Sequence, residues 1–158
     1  MKFSKIASSM GFAHVEFVVA VVAVLAVGLI GVKVMTASHA DTGASVCGSG
    51  YVQYAKKDMY FAGYSAPQAS LQEYFNKGLY KKCVVLLSEG NAYGVSKPMA
   101  VQVNYTTISN STVKKVYNKG NFKYYAGPIY VDNTNLKTWA SSGSMTFEGV
   151  QKVVSLTQ

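Results

Sequence analysis

The chain has 158 residues, with 15 lysines, no arginine and seven acids, and its formal net charge is +8. This length permits one membrane segment and one globular domain of about 100–125 residues, which excludes enzymes built from several domains. Apolar residues make up 49% of the chain, too many for a disordered protein, and no repeat period of roughly 20–50 residues is present.

The N-terminal region consists of a basic leader, MKFSKIASSM, followed by an apolar run. Phe17–Val32 is apolar without a break. Adding Phe12, Ala13 and Val15 gives the roughly 20 positions with which a helix crosses a ~30 Å hydrocarbon layer. Lipid requires the backbone to satisfy its own hydrogen bonds, so we expect a helix although valine favours strand in water. The lysines ahead of the run predict a cytoplasmic N-terminus and an exported remainder.

Three residues around the start of the apolar run have the spacing of a processing signal. Gly11 ends the leader, Phe12 opens the apolar run, and Glu16 is the fifth residue after the glycine. This arrangement resembles the type IV prepilin signature over residues 1–36. The resemblance implies that a prepilin peptidase cleaves after Gly11 and methylates the new amino group of Phe12. It also implies that the pilus assembly machinery polymerises the chain with copies of itself or into a mixed pilus.

Glu16 is unfavourable in an apolar stretch unless another group neutralises it. A carboxylate costs about 2.5–3.5 kcal/mol at the middle of a bilayer and less near its edge. The prepilin resemblance implies a partner, the amino group of Phe12 on a neighbouring subunit, and this pairing would set the axial register of the filament. The alternative is that Glu16 lies at the membrane interface and is solvated by lipid headgroups.

A conventional secretory signal is a second interpretation of the same region. Ser38, His39 and Ala40 form a small-x-small site, and cleavage there would release a domain that begins at Asp41. The protein would then be a secreted or membrane-anchored lysine-rich binding domain and not a filament subunit.

The exported domain is expected to have an α+β fold. The predicted division is a leader at 1–11, a transmembrane and assembly helix at 12–36, and a globular domain at 37–158. Apolar spacing predicts a helix over Tyr51–Ala62 and a second helix that begins near Pro67. Its buried stripe is predicted to comprise Leu71, Tyr74, Phe75 and Leu79.

Strand patterns follow these helices along the chain. The predicted strands are Cys83–Leu87, Met99–Ile108, Thr112–Tyr117, Phe122–Ala126, Ile129–Val131 and Val150–Leu156. Asn118–Asn121, with its glycine, is predicted to form a hairpin turn. Helices followed by strands predict an antiparallel sheet packed on helix, which is also the plan that the pilin resemblance implies.

Cys47 and Cys83 are the only cysteines, and both fall in the predicted exported domain. An even number of cysteines in an oxidising compartment favours a disulfide. Closing a loop of ~37 residues would stabilise the fold by about 4 kcal/mol in the chain-entropy description. Two free thiols are the alternative. A zinc site is not expected, because these cysteines and His39 lack the spacing of zinc ligands.

The segment Thr112–Tyr125 combines lysines with aromatic residues. The candidate patch comprises Lys114, Lys115, Lys119, Lys123, Tyr117 and Tyr124. Such residues can bind phosphates and stack on bases, so DNA or another anionic surface is a candidate partner. Strand alternation would place Lys114 on one face and Lys115 with Tyr117 on the other, which favours an ordinary solvated strand with a protected edge.

Motifs of known enzymes are missing or incomplete in the sequence. Ser111 and Lys114 match S-x-x-K, but serine and lysine are abundant and the companion motifs S-D-N and K-T-G are absent. The sequence also lacks a P-loop, a nucleophile elbow and an H-E-x-x-H motif. We therefore expect a non-enzymatic protein without metal or cofactor. It would be membrane-anchored as a precursor and extracellular in the pilus, with a role in adhesion, motility or DNA uptake.

Overall fold

The structure is a computed structural model that describes residues 42–157. The described chain contains one short helix, one 3-10 turn at Gly90–Ala92 and eight strands. These elements are α1 Gly43–Cys47, β1 Val52–Met59, β2 Ala69–Asn76, β3 Lys81–Ser88, β4 Lys97–Thr107, β5 Asn110–Phe122, β6 Tyr125–Asp132, β7 Leu136–Phe147 and β8 Val150–Thr157.

The strands form two four-stranded antiparallel sheets. The first sheet has the order β1-β2-β3-β6 and the second has the order β5-β4-β7-β8. The chain builds three strands of the first sheet, makes the β4–β5 hairpin of the second, returns for β6, and ends with β7 and β8. Buried apolar side chains from both sheets form one cluster, so the two sheets pack face to face as a β-sandwich.

The core lies between the sheets and follows the two-residue period of their strands. Leu71 on β2 and Leu86 on β3 meet Val101 and Val103 on β4, and all four are fully buried. Gly143 on β7 permits close approach at this point, because a Cβ there would lie 2.8 Å from Cδ1 of Leu86. Close packing of the two sheets therefore requires a glycine at position 143 as well as the apolar side chains around it.

The predicted α+β fold is wrong for the described residues. The segment Tyr51–Ala62 is largely strand β1, and the stripe predicted for a helix after Pro67 lies mainly in strand β2. Seven of the eight residues of β2 are buried, because one face of this strand faces the second sheet and the other faces α1. A strand buried on both faces loses the apolar–polar alternation that distinguishes it from a helix.

The predicted turn at Asn118–Asn121 is also wrong. Strand β5 runs through these residues to Phe122, and the tight β4–β5 turn consists of Ile108 and Ser109. The predicted leader at 1–11 and apolar helix at 12–36 lie outside the described residues. Within residues 42–157, no helix is long and apolar enough to cross a membrane.

Candidate functional site

A disulfide joins the helix to the middle of the first sheet. Cys47 ends α1 and Cys83 lies in β3, with their sulfur atoms 1.99 Å apart and their Cα atoms 6.0 Å apart. Both residues are buried in a second apolar cluster, on the face of the first sheet that points away from the core. The Tyr130 hydroxyl donates a hydrogen bond to the Cys47 carbonyl at 3.1 Å, so β6 also holds the end of the helix.

The start of α1 fits closely against β2. Thr42 caps the helix, because its carbonyl accepts a hydrogen bond from the Ser45 amide at 2.8 Å and its hydroxyl lies 3.4 Å from the same amide. Gly43 lies against the Tyr74 hydroxyl, and a Cβ there would lie 2.7 Å from Oε1 of Gln72. This fit, together with the disulfide, fixes where the chain enters the sandwich.

A charged residue lies in the core between the two sheets. Glu73 on β2 is fully buried. Its Oε1 accepts hydrogen bonds from Nε1 of Trp139 at 2.7 Å and from Oγ of Ser141 at 2.6 Å, both on β7 of the opposite sheet. Burial of a carboxylate is unfavourable unless donors compensate for the lost water. Glu73 therefore forms a polar link between the two sheets within a core that is otherwise mostly apolar.

A lysine and a tyrosine lie beside this carboxylate. The Lys82 amine is 4.7 Å from the Trp139 ring and 5.2 Å from the Tyr54 ring, measured to the centroids. Tyr54 is accommodated by a bulge in β1, where the pairing with β2 shifts between Gln53 and Ala55. Tyr54, Glu73, Lys82, Trp139 and Ser141 are called the Glu73 cluster below.

Burial shifts the titration of two members of the Glu73 cluster. It raises the pKa of Tyr54, and the charge of Glu73 and a hydrogen bond to it raise that pKa further. Burial lowers the pKa of Lys82, and the nearby negative charge of Glu73 opposes part of this change. The cluster therefore keeps a lysine amine near a carboxylate in aromatic surroundings, where the amine loses its proton more readily than in water.

The Glu73 cluster adjoins a pocket at one end of the sandwich. Tyr54, Phe75, Lys82 and Asn133 line this pocket, which has a volume of about 280 Å³. No sequence pattern singles out Glu73, Lys82 or Asn133. The available signal was an acid within the segment ASLQEYFN, but its meaning depends on the strand pairing and on the opposite sheet.

The predicted lysine and tyrosine patch is not a single surface. Lys115, Tyr117 and Lys119 alternate along β5 and share the face that points away from the core. Tyr117 is 62% exposed, and the Lys119 amine lies 5.6 Å from its ring centroid. Lys114 lies on the other face and lines a different pocket with Tyr105 and Val131.

The remaining patch residues lie beyond β5. Lys123 and Tyr124 are in the connection to β6, where the Tyr124 ring packs against Tyr93 with centroids 5.0 Å apart. Gly11, Phe12 and Glu16 lie outside the described residues. Within residues 42–157, no group of three or more histidine, cysteine or acidic side chains is arranged to hold a metal ion.

Comparison with known proteins gives no relative. No protein family, no curated protein and no solved structure matches the chain. The function is therefore inferred from the sequence of this chain and from the geometry of its sandwich.

Proposed function

We propose that the protein is a structural subunit of a type IV pilus-like filament. The observation that carries this proposal is the spacing of Gly11, Phe12 and Glu16 at the start of the apolar run. The precursor is anchored in the membrane by its apolar segment, cleaved after Gly11 and polymerised through that segment with the help of the assembly machinery. The β-sandwich is then displayed on the outside of the filament.

The described part of the chain supports an exported location for the sandwich. Its two cysteines form a buried disulfide, and such bonds persist mainly in oxidising compartments. The disulfide also fixes the first described residues of the sandwich, through Cys47, to strand β3. A covalently braced domain suits a subunit that is exposed outside the cell.

N-terminal sequencing of the exported protein tests the processing step. We expect the mature chain to begin at a methylated Phe12, because the peptidase implied by the resemblance cleaves after Gly11. A chain that begins at Asp41 would overturn the proposal and support the secretory interpretation. A chain that retains its basic leader would also overturn it, since Phe12 would then have no free amino group for Glu16.

Substitution of Glu16 tests the assembly step. The variant Glu16→Ala should enter the membrane normally and form no filaments, because the carboxylate that pairs with the Phe12 amino group is missing. Glu148→Ala is the control, since it removes an acid from an exposed position between β7 and β8 and breaks only the hydrogen bond that this acid accepts from the Tyr64 hydroxyl. Normal filaments from Glu16→Ala, observed by electron microscopy of sheared cell surfaces, would contradict the proposed pairing.

A lysine-rich binding role is the second candidate function. The exposed face of β5 presents Lys115, Tyr117 and Lys119 together, which is suited to the phosphates and bases of DNA. Binding should weaken steeply between about 50 and 200 mM salt. The variant Lys115→Gln/Lys119→Gln should reduce the salt slope by about two, and Lys77→Gln/Lys137→Gln, with the same charge loss, should not.

A further inference from the structure

Glu73 and Lys82 are close neighbours on the inner face of the first sheet. In the pairing of β2 with β3, Glu73 is opposite Val84 and Phe75 is opposite Lys82. Residues that differ by two positions along a strand share a face, and diagonal neighbours on one face lie within reach of long side chains. Val84 is fully buried in the core, so Glu73 and Lys82 both point into the sandwich.

Asn133 lies on the other side of Lys82 in the same sheet. Lys82 is opposite Val131 in the pairing of β3 with β6. The Asn133 amide donates a hydrogen bond to the Tyr80 carbonyl at 3.0 Å, so this pairing continues one residue pair beyond the end of β6. Asn133 is therefore the diagonal neighbour of Lys82, and both residues line the pocket beside the Glu73 cluster.

The surroundings of Lys82 favour a nucleophilic amine. Burial lowers its pKa and so disfavours the ammonium form, while contacts of its amine with the Trp139 ring at 4.7 Å and the Tyr54 ring at 5.2 Å hold the amine in place. A neutral amine has the lone pair that attacks a carbonyl carbon. Glu73 is held in place by Trp139 and Ser141, so its carboxylate is positioned as a base beside Lys82.

We infer that the protein forms an internal amide bond between Nζ of Lys82 and Cγ of Asn133. Nζ attacks Cγ, the bond between Cγ and the side-chain amide nitrogen breaks, and ammonia leaves. Glu73 takes a proton from Nζ as the new bond forms and transfers it to the departing nitrogen. No oxidant, metal or cofactor is consumed, because the reaction exchanges one amide for another and releases one ammonia.

The bond would connect two adjacent strands near the end of the first sheet. It would lie on the inner face of that sheet, whereas the disulfide between Cys47 and Cys83 lies on the outer face. Strand β3 would then be joined covalently to α1 through Cys83 and to the end of β6 through the neighbouring Lys82. This cross-link is a modification beyond the proposed filament function, and it does not depend on cleavage after Gly11.

Mass spectrometry of the intact full-length chain tests the inference. We expect the disulfide-bonded protein to be lighter than its sequence mass by one ammonia in addition to the two hydrogens lost in the disulfide, and a digest to contain one branched peptide with Lys82 linked to Asn133. The full sequence mass would overturn the inference. An ammonia loss confined to the Asn133 peptide indicates a cyclic imide, and loss of water indicates a bond to a carboxyl group; either result would also overturn it.

Three variants identify the roles of the residues. Asn133→Ala and Lys82→Met should each have their full mass and no branched peptide. Glu73→Gln should leave both reacting groups present but unlinked, because the proton carrier is missing. Asn135→Ala is the matched control in the same loop and should retain the ammonia loss. If Glu73→Gln does not fold, Asn133→Ala still decides, since a branched peptide in that variant contradicts the assignment.

Discussion

Lys97 is a buried lysine whose amine is hydrogen-bonded to backbone carbonyls and not to an acidic side chain. The residue is 4% exposed, and its amine donates hydrogen bonds to the carbonyls of Ala92 at 2.5 Å, Val95 at 2.6 Å and Lys123 at 3.3 Å. These carbonyls come from the β3–β4 connection and from the segment after β5. Lys97 therefore fixes two loops to the start of β4.

Lys97 should make stability depend on pH in the alkaline range. Burial lowers its pKa from 10.5 to about 8. Between these values the unfolded chain binds a proton that the native chain lacks, so the free energy of unfolding rises with pH. We therefore expect the free energy of unfolding to rise by at most about 1.4 kcal/mol per pH unit between about pH 8 and 10.5.

Urea unfolding of the wild type and of Lys97→Met measures this effect. The variant should lose the additional rise with pH, because it has no amine at this position. At pH 7 it should also be about 1–3 kcal/mol less stable, since buried carbonyl oxygens lose their donor. Equal pH slopes in the two proteins would show that Lys97 keeps its ordinary pKa.

At the scale of elements, strand β3 is stabilised by its link to α1. The closed loop runs from Cys47 to Cys83, a separation of 36 residues. The variant Cys47→Ser/Cys83→Ser should lower the free energy of unfolding by about 2–4 kcal/mol, because the unfolded chain regains freedom. Chemical reduction of the wild type should have the same effect in denaturant titrations. An unchanged midpoint in both experiments would contradict the expected role.

Strand β5 is an edge strand whose lysines protect it from pairing with other chains. Val113 and Val116 are exposed on this strand, and charged neighbours discourage addition of a further strand. Lys115→Thr/Lys119→Thr should aggregate faster in light scattering, with a change in the free energy of unfolding within about 0.5 kcal/mol. Lys77→Thr/Lys137→Thr removes the same charge elsewhere and should remain soluble.

The two strands that were predicted as helices, β1 and β2, share one cause, which is their environment in the sandwich. β2 is buried on both faces and β1 is an edge strand, so neither shows the alternation by which strands are recognised. β7 was not predicted, because serine, threonine and glycine occupy many of its positions. By contrast, β4 alternates clearly and was predicted with nearly its observed bounds, Lys97–Thr107.

The candidate sites differ in how far sequence determines them. A disulfide between Cys47 and Cys83 was expected because the chain has only two cysteines. Glu73, Lys82 and Asn133 are adjacent only through the pairing of β2, β3 and β6. This pairing depends on a chain that leaves the first sheet, builds two strands of the second, and returns. No local pattern specifies that order.

At the scale of the whole molecule, the two sheets should unfold together. Their facing side chains form one core, so neither sheet can bury its inner face alone. Residues 42–158, expressed without the preceding segment, should fold and show a single cooperative transition. Trp139 is the only tryptophan and lies in this core, so its fluorescence and the far-ultraviolet circular dichroism should change at the same temperature. Two separate transitions would contradict a shared core.

The disulfide also determines how the sandwich would respond to tension from its N-terminal side. A pull that enters at Thr42 passes through α1 to Cys47 and then crosses the sulfur atoms to Cys83 on β3. Strands β1 and β2 lie inside the closed loop, so the load bypasses them and the edge strand cannot be peeled away. A pull between Thr42 and the C-terminal end would therefore load strand β3 first, through Cys83.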